Sequence, residues 1–376
     1  MLRRPRNKTT GASNAEKEVA PEGLVNRLVG RLWRRPDSDF RPKRGSQTHV
    51  IILDGTMSSL YPGCETNVGH TYALLREMSS TVSIYYEPGL QWRDWRSSID
   101  VLMGRGINAQ IRRAYGYLAS RYRPGDRIFL IGYSRGAYAV RSLAGVLDRI
   151  GLLKSECATE RKVRDVYRHY ECSPDGEAAQ DFRAAYCHDK IEIEAIGVWD
   201  TVKSLGINAP VLWRISEGWH AFHNHELSSI VKNGFHALAL NENRVAYKAL
   251  PWTSPDGFDG RVEQVWFAGA HGDVGGQVGY FPAARPLANI PLVWLLARLQ
   301  ECGLPLPQGW NLRYPQDPTA PALGTWRGYG RLLLTRRRRI VGADPSERLH
   351  ESVKVRGMAH EDLGEGLEKL KVWRSA

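Results

Sequence analysis

Cysteine is scarce in this sequence and is not arranged for cross-linking. Five cysteines occur in 376 residues, an odd number with no close pairs. This spacing argues against a disulfide framework, and without a Cys-X-X-Cys pair no zinc site is indicated. We therefore expect ordinary thiols in a reducing compartment and no metal or other cofactor. The cysteines stand at positions 64, 157, 172, 187 and 302.

Long apolar segments are also missing. No run of about 18 apolar residues occurs in the sequence, so no membrane-spanning helix is predicted. The opening Met-Leu-Arg-Arg-Pro is not followed by the apolar core of a signal peptide. We expect a protein that is cytoplasmic as synthesised, and any export would need a route other than a cleaved signal.

Acidic residues are outnumbered by basic ones. The chain has 52 Lys and Arg against 40 Asp and Glu, which gives a formal net charge of +12 and a pI of about 9.5. Such a balance favours nucleic acid, anionic membranes or acidic substrates as partners. Much of the excess lies in residues 1–46, which we predict to be a basic, largely disordered arm. Within it, only residues 24–33 have the amphipathic spacing of a short helix.

Short apolar runs alternate with helical patterns after residue 47. This alternation predicts an α/β fold with a mainly parallel sheet and helices on both faces. Functional residues of such sheets lie at the carboxyl ends of the strands. The predicted strands are 50–53, 81–86, 127–132, 191–198 and 264–269, and the predicted helices are 107–122, 137–150 and 290–299.

One catalytic domain is predicted over residues 47–376, with helical and loop insertions that form a cap. The stretch 155–190 is polar and has helical character, whereas 207–235 is irregular and rich in Trp and His. From about residue 304 the chain is rich in Pro, Gly, Arg and Trp, which predicts a loop-rich C-terminal part.

The segment 132–136, Gly-Tyr-Ser-Arg-Gly, has the form of a nucleophile elbow. A predicted strand precedes it and a predicted helix follows it, which is the context that exposes a reactive serine on a rigid turn. Gly132 and Gly136 leave room for the sharp turn. The helix N-terminus adds positive partial charge beside a developing oxyanion. Ser134 is therefore the candidate nucleophile.

A serine nucleophile needs a base, and the base needs an orienting group. Asp200 and His271 follow Ser134 in the chain order of this fold, and each comes just after a predicted strand. His271 would be the base and Asp200 its orienting acid. The alternatives are a helix cap for Asp200 and a structural role for His271 in a glycine-rich loop. His350 is the second candidate base, ranked lower because no strand is predicted before it.

An oxyanion hole in such a fold is built from backbone amides. One is expected from Arg135, the residue after the nucleophile, and the other from Gly55 or Thr56 in the loop after the first strand. Asp54 is expected to support this loop by hydrogen bonds, with direct catalysis as the alternative.

Asp273 follows His271 by two residues and is the remaining acidic side chain near the expected site. A metal held by Asp54 and Asp273 is conceivable, but no second histidine stands at ligand spacing. We expect Asp273 to support the site and expect no metal. The glycines at 275–276 predict a tight turn, because no Lys-Ser or Lys-Thr follows to complete a phosphate loop.

Arg336, Arg337, Arg338 and Arg339 form the strongest run of charge. A solvated loop is the simplest interpretation. The functional alternative is attraction to anionic phospholipid head groups, with Trp326 nearby. The same charges would suit nucleic acid, although no specific nucleic-acid binding is expected.

Five blocks of the sequence together resemble one known family. They are 54–56 (Asp-Gly-Thr), 122–128, 132–138, 198–202 (Val-Trp-Asp-Thr-Val) and 266–276. In this order they are similar to the uncharacterised α/β-hydrolase family that includes the type VI secretion phospholipase effectors. The resemblance spans roughly residues 48 to 282. The chain departs from the family pattern at Met57, where an aromatic residue is usual, and just after the glycine pair.

The resemblance implies a catalytic triad that falls on Ser134, Asp200 and His271. It also implies a lipase-like or phospholipase-like ester hydrolase, and hence a lipid substrate. A secretion or immunity partner would follow from the family, although nothing in the residues identifies one. Two alternatives stay open: a hydrolase of small soluble esters, and a non-catalytic binding module that uses the basic surface of a hydrolase scaffold.

Overall fold

The computed structural model describes residues 45–89, 105–202, 227–254, 257–279, 281–326, 335–357 and 370–373. Apart from Gly45 they belong to one unit, Ser46–Ala376. The arm predicted over residues 1–46 therefore lies almost entirely outside the described residues. The same holds for the predicted helix at 24–33 and for most of the second predicted insertion, 207–235.

The described strands form one sheet in which every neighbouring pair is parallel. In chain order they are β1 (Thr48–Leu53), β2 (Val82–Glu87), β3 (Arg127–Tyr133), β4 (Ala195–Trp199), β5 (Asn233–Ala239), β6 (Arg261–Phe267), β7 (Glu347–His350) and β8 (Lys371–Trp373). Across the sheet they run in the order β2-β1-β3-β4-β5-β6-β7-β8. The carboxyl ends of all eight strands consequently lie along a single edge.

Both faces of the sheet are covered, as expected for parallel strands with continuous apolar sequences. Along β1, Val50 and Ile52 belong to one hydrophobic cluster, and Ile51 and Leu53 belong to the other. All four side chains are fully buried. Successive residues of a strand point to opposite faces, so each face of β1 has its own core.

Helices form the two layers over the sheet. They are α1 (Asn67–Glu77), α2 (Arg105–Arg121), α3 (Arg135–Arg149), α4 (Glu160–Cys172), α5 (Glu177–Tyr186), α6 (His271–Gly275), α7 (Arg285–Glu301) and α8 (Glu351–Val355). Buried residues of α1 and α7 join the cluster of Val50, whereas those of α2, α3, α4 and α5 join the cluster of Ile51. The α/β fold with helices on both faces, predicted from the sequence, is thereby confirmed.

Strands β5, β7 and β8 and helices α1 and α8 differ from the sequence-based prediction. Strand β5 begins at Asn233, inside the range expected for the second insertion. The C-terminal part, expected to be loop-rich, contributes β7, α8 and β8 to the sheet edge. Helix α1 was not anticipated, because its apolar residues are few and interrupted. The helices expected in 155–190 are present as α4 and α5.

Three expectations drawn from the composition concern membrane-spanning helices, cysteine pairing and metal binding. None of the described helices is long and apolar enough to cross a bilayer. The five cysteines are free thiols. In the same described residues, no group of three or more His, Cys, Asp or Glu is placed to hold a metal ion.

Gly136 tests how tightly the first turn of α3 packs on β1. A Cβ at this position would overlap the backbone carbonyls of Leu53 and Asp54. We expect Gly136→Ala to lower the free energy of unfolding by roughly 3 kcal/mol, because backbone cannot move aside as a flexible side chain can. Urea unfolding followed by circular dichroism measures the change.

Gly116, in α2, is the matched control for this substitution. The nearest atom to a Cβ there would be a Val163 methyl at 3.8 Å. We expect Gly116→Ala to be neutral or to stabilise by about 0.5–1 kcal/mol, since alanine is the better helix former. Equal effects of the two substitutions would contradict the close packing at the elbow.

Candidate active site

The candidate nucleophile lies on a sharp turn between a strand and a helix. Ser134 stands between the end of β3 and the start of α3, with φ 57° and ψ −121°. This is an unfavourable backbone conformation for a residue with a side chain, and such strain occurs mostly at functional positions. The Ser134 amide donates to the carbonyl of Trp199 at 3.0 Å, which ties the turn to β4. A Cβ on Gly132 would lie 2.7 Å from the Ala137 nitrogen, so the turn requires glycine there.

The structure brings Ser134, His271 and Asp200 into one hydrogen-bonded chain. Ser134 Oγ lies 2.9 Å from His271 Nε2, and His271 Nδ1 lies 2.6 Å from Asp200 Oδ2. All three residues are buried, with 6%, 4% and 0% of their surfaces exposed. The two imidazole nitrogens therefore face the two partners that a serine–histidine–aspartate relay needs.

The sheet explains why residues so far apart in sequence meet. Ser134 follows β3, Asp200 follows β4, and His271 begins α6 after β6. These strands are parallel, so their carboxyl ends share one edge of the sheet. The His271 ring is enclosed by the rings of Tyr133 and Tyr247, at centroid distances of 4.9 and 4.7 Å. These contacts restrict its rotation.

Asp200 is fully buried, and its carboxylate accepts several hydrogen bonds. Oδ1 accepts from the Ala239 amide at 2.9 Å. Arg339 donates to both oxygens, with Nη1 2.5 Å from Oδ1 and Nη2 2.9 Å from Oδ2. Burial by itself would raise the pKa of Asp200, but the Arg339 guanidinium and the hydrogen bond with His271 hold it well below its usual range. Asp200 is therefore ionised at neutral pH.

The arginine run does not form one continuous exposed surface. Arg337 and Arg338 are exposed, and Arg336 is half-buried. The Arg339 side chain is only 6% exposed and is paired with Asp200. The prediction of membrane contact through all four residues is therefore wrong for Arg339, because its guanidinium points into the protein. Only Arg337 and Arg338 are presented for contact with an anionic surface.

The expected oxyanion loop lies beside the nucleophile. Arg135 begins α3, so its amide has no carbonyl partner within the helix. A Cβ on Gly55 would lie 3.4 Å from the Ser134 Cβ. The Gly55 amide, however, donates to Asp54 Oδ1 at 2.7 Å and is not available to a substrate. Of the two alternatives in this loop, Thr56 is left as the candidate for the second donor.

Asp54 is buried and holds the loop from below. Its carboxylate accepts from the hydroxyls of Thr66, at 2.9 Å, and Tyr86, at 3.0 Å, in addition to the Gly55 amide. Burial raises the pKa of Asp54 to about 6, and these hydrogen bonds only partly oppose that shift. Asp54 has no hydrogen bond to Ser134, His271 or Asp200 among those of the described residues, and within the loop its carboxylate binds the Gly55 amide.

Asp273 also binds backbone amides. It accepts from Ala270 at 2.9 Å, Leu323 at 2.5 Å and Gly324 at 3.2 Å. These bonds fix the first turn of α6, which carries His271, to the segment around residue 323. A supporting role for Asp273 stays a prediction.

His350 is not placed to act as a base for Ser134. The expectation that no strand precedes it is wrong, because it ends β7. Its Nδ1 lies 2.8 Å from Ser352 Oγ, and its ring stacks between Phe267 and Trp373 at 4.5 and 5.1 Å. Burial lowers the pKa of His350 to about 4, so it is neutral at physiological pH.

A second group around His271 was not found from the sequence. Glu242 accepts a hydrogen bond from the His271 amide at 3.1 Å and two from the Arg244 side chain at 2.8 and 2.6 Å. Arg244 lies over the Tyr247 ring at 4.2 Å. Burial would raise the pKa of Glu242, but Arg244 more than offsets it and lowers it. The run 233–239 could have revealed this group from the sequence. It predicts a strand that ends shortly before Glu242 and Arg244, just as the other strands end shortly before Ser134 and Asp200.

Arg135, the residue after the nucleophile, has a buried cationic side chain. The residue is 7% exposed, and its Nη1 has no hydrogen-bond partner in the part of the chain that the structure describes. Burial lowers the pKa of Arg135 to about 10. The guanidinium still carries its charge at neutral pH.

The fold and this arrangement define an α/β-hydrolase-like protein, with a serine on a strand–helix elbow and a histidine–aspartate pair on the same sheet edge. Residues 47–298 match the family model described as the catalytic domain of Tle1-like phospholipase effectors of the type VI secretion system. Because the match covers more than half of the chain, the chain belongs to this family. The resemblance found from the sequence motifs is thus confirmed.

Similarity to a curated protein extends over part of the chain. The uncharacterized protein YEL023C of Saccharomyces cerevisiae is 28% identical over 231 residues, which is 54% of this chain and 32% of the yeast protein. The chain therefore spans about a third of the length of that relative.

Two solved structures are similar to parts of the fold. An uncharacterized protein from Pseudomonas aeruginosa has 15% identity and a TM-score of 0.41, over 78% of this chain and 50% of its own. A Tle1 effector bound to the VgrG spike of the type VI secretion system has 19% identity and a TM-score of 0.34, over 65% and 53%. At these scores the fold assignment rests on the sheet itself and on the family match.

Proposed function

We propose that this protein is a serine ester hydrolase that acts on lipids through an acyl-enzyme intermediate. The observation that carries the proposal is the chain from Ser134 Oγ to His271 Nε2, at 2.9 Å, and from His271 Nδ1 to Asp200 Oδ2, at 2.6 Å. A nucleophile, a base and an orienting acid in contact are the minimum for acyl transfer by serine.

The first half-reaction forms an ester with the protein. His271 Nε2 accepts the hydroxyl proton of Ser134 as Oγ attacks the substrate carbonyl. The negative charge on the carbonyl oxygen is stabilised by the amides of Arg135 and Thr56. The bond to the leaving alcohol breaks as His271 returns the proton to its oxygen. Asp200 keeps the imidazole oriented and stabilises its cation.

The second half-reaction releases the acyl group. Water attacks the acyl-enzyme carbonyl while His271 accepts its proton, and the same two amides stabilise the charge. The bond to Ser134 Oγ then breaks, His271 returns the proton to that oxygen, and the carboxylic acid departs.

Two observations support a phospholipid over a neutral ester. The family to which the chain belongs is described by phospholipase effectors. In addition, Arg135 follows the nucleophile in the chain, and its buried Nη1 has no hydrogen-bond partner among the described residues; such a cation suits an anionic group of a bound substrate. The exposed Arg337 and Arg338 would add attraction to an anionic membrane surface. From the same family membership we also propose a secretion or immunity partner for this chain.

Comparison of two substrates tests the lipid assignment. We expect the purified protein to release fatty acid from vesicles of phosphatidylethanolamine and phosphatidylglycerol, with a higher kcat/KM than for p-nitrophenyl butyrate. Mass spectrometry of the lipid products identifies the bond that is cut. Hydrolysis of p-nitrophenyl butyrate alone would indicate that the substrates are small soluble esters and not lipids. No hydrolysis, with salt-dependent nucleic-acid binding unaffected by Ser134→Ala, would favour a binding module instead.

A further inference from the structure

Arg339 reaches the candidate triad from a part of the chain that the family model does not cover, since the match ends at residue 298. Its segment is held by backbone pairing. The Val245 amide donates to Thr335 at 3.1 Å, and the Arg337 amide donates to Asn243 at 2.7 Å. This pairing brings Arg339 beside the loops that follow β4 and β5.

The Arg339 guanidinium makes four hydrogen bonds, all to the surroundings of Asp200. Two go to the Asp200 carboxylate, one oxygen each. The other two go to the carbonyls of Ala239, at 2.8 Å, and Tyr247, at 2.6 Å. The arginine and aspartate side chains are 6% and 0% exposed. In such a desolvated setting a two-point pair fixes the plane of the carboxylate.

We infer that Arg339 is a positioning residue of the active site, which holds the Asp200 carboxylate oriented toward His271. The inference rests on the proposed function. Asp200 Oδ2 is shared, because it accepts from Arg339 and faces His271 Nδ1. If the carboxylate rotated, Oδ2 would lose its hydrogen bond to Arg339 and its hydrogen bond to His271. The catalytic unit therefore extends beyond residue 298 and is completed by the C-terminal part of the chain.

Two substitutions separate the charge of Arg339 from its geometry. Arg339→Gln removes the cation, and Arg339→Lys keeps it but loses the two-point pair. We expect both to lower kcat/KM about 100-fold, as for a small misplacement of a catalytic group. The loss should fall on kcat, with KM changed less than threefold, because Arg339 acts on the triad through Asp200. A lowered melting temperature with native kcat in both variants, or native kcat in Arg339→Lys, would overturn the inference.

A double-mutant cycle with Asp200→Asn separates an effect of Arg339 on catalysis from an effect on folding. Removing Arg339 alone leaves a buried carboxylate without its partner, which is strongly destabilising. In the Asp200→Asn background we expect Arg339→Gln and Arg339→Lys each to lower kcat/KM less than tenfold, because the carboxylate through which they act is already gone. Losses as large as those in the native background would contradict a role exerted through Asp200.

A measurement without substrate distinguishes failure of this inference from failure of the proposed function. The proton between His271 Nδ1 and Asp200 is observable by NMR at low field. We expect its resonance to shift in both Arg339→Lys and Arg339→Gln, because each loses the two-point pair that orients Asp200. An unchanged resonance in both variants would overturn the role of Arg339. Absence of ester hydrolysis by the native protein would instead overturn the proposed function.

Discussion

Ser134→Ala is expected to lower kcat for ester hydrolysis by about 10⁴- to 10⁶-fold, as for other triad serines. The reason is that the Ser134 hydroxyl, 2.9 Å from His271 Nε2, is the only hydroxyl among the described residues that bonds to this nitrogen. The fold should be retained, because within the part of the chain that the structure describes the Ser134 side chain bonds only to His271. Steady-state kinetics with a chromogenic ester, together with the melting temperature, measures both effects.

Ser142 provides a matched control for the nucleophile. It is also a buried serine of this region, two turns into α3, and its hydroxyl donates to the Tyr138 carbonyl at 2.9 Å. Ser142→Ala is expected to keep the native kcat. If Ser134→Ala and Ser142→Ala had similar activity, another residue would have to be the nucleophile.

Asp200→Asn is expected to lower kcat/KM by about 10⁴-fold. An amide in place of the carboxylate favours the wrong tautomer of His271, so that Nε2 no longer accepts the serine proton. The change also leaves the Arg339 guanidinium buried without its counter-charge, so the melting temperature should fall. Kinetics at the pH optimum and thermal unfolding, measured on the same preparation, separate the two effects.

A second histidine–aspartate pair offers a control for this substitution. His49 Nε2 lies 2.9 Å from Asp126 Oδ2, and both residues are buried near the amino ends of β1 and β3, away from the candidate site. Asp126→Asn should affect stability and leave kcat close to native. A loss of kcat as large as that of Asp200→Asn would show that the effect is not specific to the site.

The sequence was sufficient to predict strands β1, β3 and β4 and the reactive residues that follow them. Each of these strands ends in an apolar run, because both faces of the strand are buried. Each run ends at a reactive side chain, and parallel topology then places Asp54, Ser134 and Asp200 on one edge. The motif around Ser134 added the turn geometry.

The sequence was not sufficient for the C-terminal edge of the sheet. Strands β7 and β8 have only four and three residues, mostly polar or aromatic, so they carry no periodic apolar signal. These two segments become strands because they pair with neighbouring strands, β7 with β6 and β8 with β7. Arg339 was misassigned for a related reason. In a run of four arginines every member has the same local pattern, and only tertiary contacts show which one pairs with a buried carboxylate.

The central claim is that Ser134 is a nucleophile activated by His271 and Asp200. The most direct measurement is labelling of the folded protein with a fluorophosphonate, followed by peptide mass spectrometry. We predict one covalent adduct, on Ser134, which forms in the native protein and is absent after heat unfolding and in Ser134→Ala. A folded protein that stays unlabelled, or an adduct on another residue, would contradict the account.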